Sequence, residues 1–171
     1  MLASVPRELP QAIGFVLLPE FSMIAFTSAV EALRQANRCA DDTLYEWPVF
    51  SVDGLPVRAS NGLEISVQGN LEAAGRLSAV AVCTGINVQS LPDKPLLPWL
   101  RRMDRLGADI GALCTGTYLL AKAGLLEGYS ATIHWENIAG FSEEFPELEV
   151  SNELFEVDRN RFTCAGGTAA M

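Results

Sequence analysis

The sequence predicts an α/β domain in which helices cover both faces of a mostly parallel sheet. Continuous apolar runs of strand length at residues 13–18 and 78–83 are typical of strands buried on both faces. Helical spacing of apolar residues follows each run, at residues 23–38 and 95–106. Strands that alternate with helices in this way favour a parallel sheet between helical layers.

The remaining elements complete this α/β pattern. A capping serine, Ser22, precedes the first helix. The further predictions, in chain order, are a strand at 44–52, a hairpin at 57–67 that turns at 61–62, a short helix at 71–74, a strand at 109–113, a helix at 117–123, a short strand at 131–133, a helix at 135–144 and a hairpin that pairs 154–157 with 161–164.

Composition indicates one acidic globular domain. The chain has 171 residues, 49% hydrophobic residues and a mean hydropathy of +0.20, which favour a compact core. A net charge of −9 argues against binding of DNA or an anionic membrane by this segment itself. No apolar run is long enough to cross a bilayer, and residues 1–11 contain no apolar signal core. We therefore expect a cytoplasmic location without membrane contact.

The junction of residues 109–113 with Cys114 has the pattern of a nucleophile elbow. An apolar strand runs directly into one cysteine, and the helix-compatible residues Thr115 and Gly116 follow at once. At a helix N-terminus the helix dipole would stabilise a thiolate. The sequence favours this functional interpretation over a small residue that merely fills a tight turn.

The single histidine, His134, is predicted to share a pocket with Cys114. It follows the short strand at 131–133, and the carboxyl ends of parallel strands meet at one sheet edge, where Gly85 also falls. His134 is a candidate base for Cys114, with Glu136 or a carboxylate from elsewhere as third partner. A hydrogen-bonded structural histidine is an equally weighted alternative.

Two further residues have two interpretations each, and the cysteines have one. Glu31 in the first helix either faces the elbow pocket or pairs locally with Gln35 or Arg34. Trp135 either holds a cation against its aromatic face or packs in the core. The four cysteines show no metal-ligand spacing and are interpreted as mostly buried free thiols: Cys39, Cys83, Cys114 and Cys164.

Several separated motifs in a fixed order resemble one family. They are Cys114-Thr115-Gly116 followed by AGLLEG at 123–128 and ATIHW at 131–135, with LPEFS at 18–22, SAVEALRQANR at 28–38, YEW at 45–47 and RASNG at 58–62. This pattern resembles the PfpI-type branch of the class I glutamine-amidotransferase-like superfamily. More narrowly, it is similar to the amino-terminal sensor domain of AraC-type transcription regulators of the GlxA group, from about residue 13 to residue 171.

The resemblance implies a flavodoxin-like three-layer sandwich, typical of class I amidotransferases, in which residues 1–171 form a single ligand-sensing domain. It further implies a homodimer, no cofactor or metal, and DNA contact through a helix-turn-helix domain expected after residue 171 and absent from this chain. Residues 30–38 most resemble regulators of arginine, glycine betaine and carnitine catabolism. The implied effector is thus a small amino-acid or quaternary-ammonium metabolite.

A binding site for such an effector must hold both its carboxylate and its cationic group. The helix N-terminus at Cys114 and Thr115 suits the carboxylate, and Glu31 with Trp135 suits the cation. The full set of ligand-binding residues predicted in this way is Glu31, Asn61, Gly85, Cys114, Thr115, His134 and Trp135.

The sequence also departs from the enzymes of this superfamily. Thr115 stands where PfpI proteases carry a histidine, and residues 26–29 replace the usual Asp and Gly-Pro. We therefore do not expect catalysis. The alternatives are a cysteine-dependent hydrolase or glyoxalase-like enzyme that uses Cys114, His134 and Glu31, and a redox sensor in which Cys114 is oxidised.

Overall fold

The computed structural model describes residues 9–91 and 93–171. The strands are β1 (Gln11–Leu17), β2 (Tyr45–Glu46), β3 (Val49–Ser51), β4 (Val57–Arg58), β5 (Glu64–Ile65), β6 (Gly69–Asn70), β7 (Ala79–Cys83), β8 (Asp109–Leu113), β9 (Ser130–Ala131), β10 (Glu149–Val150), β11 (Phe155–Asp158) and β12 (Arg161–Cys164). The α-helices are α1 (Met23–Ala40), α2 (Leu96–Arg105), α3 (Thr117–Lys122) and α4 (Ile138–Glu144). The sequence analysis finds no apolar signal core in residues 1–11, and residues 1–8 of that segment lie outside the described residues.

The main sheet is parallel except at one edge. Its strand order is β11-β12-β8-β7-β1-β3-β6, with β2 also paired to β1, and only β11 runs antiparallel to its neighbour. The strands with the most buried residues, β7 and β8, are central, as their apolar sequences predict. Their carboxyl ends therefore lie side by side.

Helices pack on both faces of this sheet. On one face, Leu100 of α2, Leu119 of α3 and Phe141 of α4 share a core with strand residues such as Val82. On the other face, Phe26 of α1 packs against residues of the same strands. The predicted three-layer α/β fold is confirmed.

The predicted strand at 44–52 is interrupted. Pro48 has no backbone N–H to donate, and its carbonyl oxygen accepts a hydrogen bond from the Phe15 backbone N–H at 2.9 Å. The segment therefore forms β2 and β3, which both pair with β1.

The predicted strand at 131–133 is largely wrong. Only β9 forms there, and it pairs with β10 in a small sheet separate from the main one. Side chains satisfy the backbone of Thr132 instead, because its N–H donates to Thr163 Oγ1 at 2.9 Å and its carbonyl accepts from Thr117 Oγ1 at 2.8 Å. His134 thus reaches the elbow from a loop and not from the end of a sheet strand.

Smaller elements follow the predictions more closely. Ser22 caps α1 through a 3.4 Å bond from the Ala25 backbone N–H. The hairpin of β4 and β5 and that of β11 and β12 form as predicted. The short helix predicted at residues 71–74 is a 3-10 turn over Leu71–Ala73. The helix predicted from residue 135 begins as a 3-10 turn and continues as α4. Within the described chain, no helix combines the length and hydrophobicity required to cross a membrane.

Candidate functional site

Cys114 occupies a strained elbow at the end of β8. Its φ of 62° lies in the left-handed region, which is costly for a residue with a side chain and is often retained at functional sites. The Cys114 carbonyl accepts a hydrogen bond from the His134 backbone N–H at 3.3 Å. The elbow geometry predicted from sequence is therefore present, and the His134 loop is attached to it directly.

The Cys114 thiol is not activated in this geometry. Burial raises its pKa to about 11, although the Thr115 backbone N–H donates to the sulfur and opposes the shift. The predicted stabilisation of a thiolate by helix-terminal amides is present in part, through the Thr115 N–H, but burial has the larger effect. Cys114 begins the 3-10 turn that leads into the six-residue helix α3. The neutral thiol is the dominant form at physiological pH.

A second thiol lies beside Cys114. Cys164, at the end of β12, accepts backbone N–H bonds from Gly166 and Cys114, yet burial still raises its pKa. Burial likewise raises the pKa of the Cys83 thiol on β7. The strand ends around the elbow therefore carry neutral, buried sulfur groups.

Threonine hydroxyls join the ends of β7 and β8. Thr115 Oγ1 donates to the Gly85 carbonyl oxygen at 2.6 Å and lies 2.7 Å from Thr84 Oγ1. A Cβ atom on Gly85 would lie closer than 3.0 Å to the Glu20 carbonyl oxygen, so only glycine lets these backbones pass. This close approach fixes the β1–α1 loop against the elbow.

A cavity of about 570 Å³ opens at this edge of the sheet. It is lined by Ser22, Ser60, residues 85–90, Cys114, Thr115, His134, Glu136 and Asn137. The predicted site residues Gly85, Cys114, Thr115 and His134 all line it. The structure brings these four together, and their role in binding stays a prediction.

The other three predicted ligand-binding residues do not line this cavity. Glu31 is exposed on α1, where Arg34 Nε and Nη2 donate to its carboxylate at 2.5–3.0 Å and lower its pKa. Asn61 is exposed, and its side-chain oxygen accepts from the Leu63 backbone N–H at 3.0 Å. Trp135 is 70% exposed, with its ring centroid 5.8 Å from that of His134. The local interpretation of Glu31, with Arg34 as its partner, is the one that the structure supports.

The catalytic residues of the enzymatic alternative do not contact one another in the structure. Among the described residues, no hydrogen bond joins the Cys114 thiol to the His134 ring. Glu136 Oε2 lies 3.8 Å from His134 Nδ1, beyond hydrogen-bond distance. The described residues also include no group of three or more His, Cys, Asp or Glu arranged to hold a metal ion. The site has the shape of a binding pocket without an activated nucleophile.

Of the 13 described residues that line the cavity, nine are outside the set of ligand-binding residues predicted from sequence. Ser22 was interpreted only as a helix cap, although it follows β1 at the same sheet edge as Gly85. Ser60 reaches the cavity because its backbone N–H donates to the Phe21 carbonyl at 3.1 Å, which attaches the β4–β5 hairpin to the β1–α1 loop. The first residue was detectable from its position after a strand, whereas the second depends on a long-range contact.

We expect Cys114 to react slowly with alkylating agents. At pH 8 a thiol with a pKa of about 11 has roughly one hundredth of the thiolate fraction of a thiol with a pKa of 9.0. Timed iodoacetamide labelling with peptide mass mapping should therefore modify the exposed Cys39 first, and Cys114 labelling should accelerate as the pH rises towards 11. Rapid labelling of Cys114 at pH 7, absent from a Cys114→Ser control, would contradict the neutral thiol.

The fold and the cavity define a class of protein. This is an α/β domain with a cysteine elbow at the carboxyl edge of a parallel sheet and a polar pocket above it. A family model described as the DJ-1/PfpI family matches residues 11–171, and the chain belongs to that family.

Relatives with similar sequences are named as transcription regulators. The chain is 44% identical over 162 residues to "HTH-type transcriptional regulator GbdR" of Pseudomonas aeruginosa, with 95% of this chain and 44% of the relative covered. It is 47% identical over 161 residues to "HTH-type transcriptional regulator CdhR" of the same species, with 94% and 48% covered. The chain thus spans about half the length of these relatives.

Solved structures agree with this relationship. An AraC family transcriptional regulator from Pseudomonas putida superposes with a TM-score of 0.86 at 31% identity, with 95% of this chain and 87% of that chain covered. The chain is also similar to a protein named as an enzyme: "Isonitrile hydratase" of Pseudomonas putida is 28% identical over 163 residues, with 93% of this chain and 67% of the relative covered. The resemblance to the sensor domain of AraC-type regulators is confirmed.

Proposed function

We propose that this chain is the ligand-sensing and dimerising domain of an AraC-type DNA-binding transcription regulator in the cytoplasm. The effector is a small amino-acid or quaternary-ammonium metabolite bound in the elbow cavity. DNA is contacted by a helix-turn-helix domain in the rest of the protein. The observation that carries this proposal is a polar cavity of about 570 Å³ built around an elbow cysteine whose thiol is neutral.

The geometry supports binding over catalysis. A nucleophilic cysteine needs a populated thiolate or an adjacent base. Here burial opposes ionisation of Cys114, and the thiol has no hydrogen bond to His134 among the described residues. The remaining wall combines hydroxyl and amide groups with the Glu136 carboxylate and the apolar side chains of Ile86 and Val88. Such a mixed wall suits the orientation of a small ligand.

The cavity is built from loops that a ligand can reposition. Residues 85–90, the β1–α1 loop and the His134 loop come from separate parts of the chain and meet only at the cavity. An effector that contacts all three stabilises one arrangement of them and shifts the population towards it. In a symmetric homodimer this change reaches the partner subunit and the DNA-binding domains.

A thermal-shift panel of arginine, glycine betaine, dimethylglycine and carnitine tests the effector class. A ligand at one hundred times its Kd adds about 2.7 kcal/mol to the unfolding free energy, which for a chain of this length is a rise in Tm of roughly 5–10 °C. We expect one or more members of the panel to produce such a rise. No shift with any of them would reject the proposed effector class.

Turnover assays separate sensing from the enzymatic alternative. The chain should not convert methylglyoxal or simple amides at a rate that depends on Cys114. Turnover abolished by Cys114→Ala would overturn the proposal in favour of a cysteine-dependent enzyme.

A further inference from the structure

We propose that Glu136 selects a positively charged group on the ligand of the elbow cavity. This inference rests on the proposed sensing function and specifies the chemistry of the same site. It replaces Glu31, the carboxylate predicted for this role from sequence, with a residue that lines the cavity.

The charges around the cavity favour a cation. Among the described residues that line it, none is a lysine or an arginine, and Glu136 is the sole carboxylate. A second carboxylate lies behind the wall, because Glu20 Oε2 accepts a hydrogen bond of 3.2 Å from Asn87 Nδ2, and Asn87 lines the cavity. The uncompensated charge at the pocket is therefore negative, and it favours a cationic or zwitterionic ligand over a neutral one of the same shape.

Neighbouring side chains neutralise the negative charge of Glu136 less than that of Glu31. Oε2 of the Glu136 carboxylate lies 3.8 Å from His134 Nδ1, and the Glu136 side chain is 64% exposed at the mouth of the cavity. Glu31 instead receives three hydrogen bonds from the permanently charged Arg34. A ligand cation would have to displace Arg34 from Glu31, whereas it can approach Glu136 directly.

The charge of Glu136 reaches the elbow. It adds to burial in raising the pKa of the Cys114 thiol, so its carboxylate acts on the floor of the cavity as well as on its rim. A cationic ligand group between these residues would neutralise this charge. A quaternary ammonium has no N–H to donate, so it is bound through such electrostatic attraction and not through directional hydrogen bonds.

Matched pairs of ligands isolate the charge. Glycine betaine and 3,3-dimethylbutanoate share a shape and a carboxylate but differ in the cationic nitrogen. Arginine and citrulline differ similarly in the guanidinium group. Isothermal titration of the full 171-residue chain should show that the member of the bound pair that carries the cationic group binds at least about tenfold more tightly than the member without it.

Three variants then assign the charge to a residue. Glu136→Gln should weaken binding of the cation-bearing ligand about tenfold and should not weaken binding of the partner that lacks the cation. Glu31→Gln should bind both ligands as the unmodified chain does. Glu143→Gln, at an exposed position of α4, is the matched control for loss of one negative charge near Glu136. Circular dichroism of each ligand-free variant checks that it is folded.

The outcomes distinguish this inference from the proposed function. Absence of binding by every charged probe to the unmodified chain overturns the sensing proposal and the role of Glu136 with it. Binding that is retained in Glu136→Gln, or lost in Glu31→Gln, overturns only the role of Glu136. Equal binding of the two members of a pair, with and without the cationic group, also overturns it, and that measurement needs no variant.

Discussion

Replacing Gly116 with alanine is expected to destabilise the protein by about 3 kcal/mol, because overpacking against rigid backbone lies at the costly end of such substitutions. A Cβ atom at this position would lie closer than 3.0 Å to the Val82 carbonyl oxygen and 3.2 Å from the Ala112 Cβ atom. Both belong to the central strands β7 and β8, which cannot move without separating from their neighbours. Urea unfolding followed by circular dichroism measures the loss.

Gly140→Ala is the matched control for this substitution. Gly140 lies within α4, and a Cβ atom there would meet no heavy atom within 4 Å. Alanine is favoured over glycine in a helix interior by about 0.5–1 kcal/mol, so this variant should be slightly more stable than the unmodified chain. A Gly116→Ala variant as stable as Gly140→Ala would contradict the close packing of Gly116 against β7 and β8.

The second large effect is expected at an ion pair near the edge of the sheet, between a buried arginine and a partly exposed aspartate. Arg161 on β12 is 4% exposed, and its Nη2 donates to Asp104 Oδ1 of α2 at 2.8 Å. Its Nε donates to the Leu125 carbonyl at 2.6 Å. Asp104→Ala would leave this cation buried without its anion, at a cost of about 3 kcal/mol, and should also loosen β12 next to the elbow.

An exposed ion pair on the same helix provides the comparison. Arg102 of α2 and Glu72 are 3.4 Å apart, with side chains 43% and 76% exposed. Glu72→Ala should therefore cost less than about 1 kcal/mol. Equal urea midpoints for Asp104→Ala and Glu72→Ala would refute the structural role of Arg161.

The sequence was sufficient for those features that local patterns encode. Continuous apolar runs identified β7 and the strand before Cys114, and the small residues after Cys114 identified the elbow. The sequence failed where the backbone is satisfied by distant side chains, as at Thr132, or interrupted by a proline, as at Pro48.

The residues that form the site could likewise be predicted from sequence only where local patterns identify them. Gly85, Cys114, Thr115 and His134 were predictable because they follow strands or a short apolar run in chain order. The position of Ser60 on the cavity wall was not, since it depends on how the β4–β5 hairpin folds back over the sheet edge. Glu136 was one of two carboxylates that the sequence left open, and only the structure shows that it, and not Glu31, lines the cavity.

The sequence alone therefore determined the α/β architecture, the elbow at Cys114 and the family, because hydrophobic periodicity and ordered motifs are properties of the chain. Only the tertiary structure decided the protonation of the thiol and which carboxylate borders the cavity. Burial of Cys114 raises its pKa, and Arg34 holds Glu31 at the surface. Both effects depend on which groups are brought together in space, and spacing along the chain does not encode that.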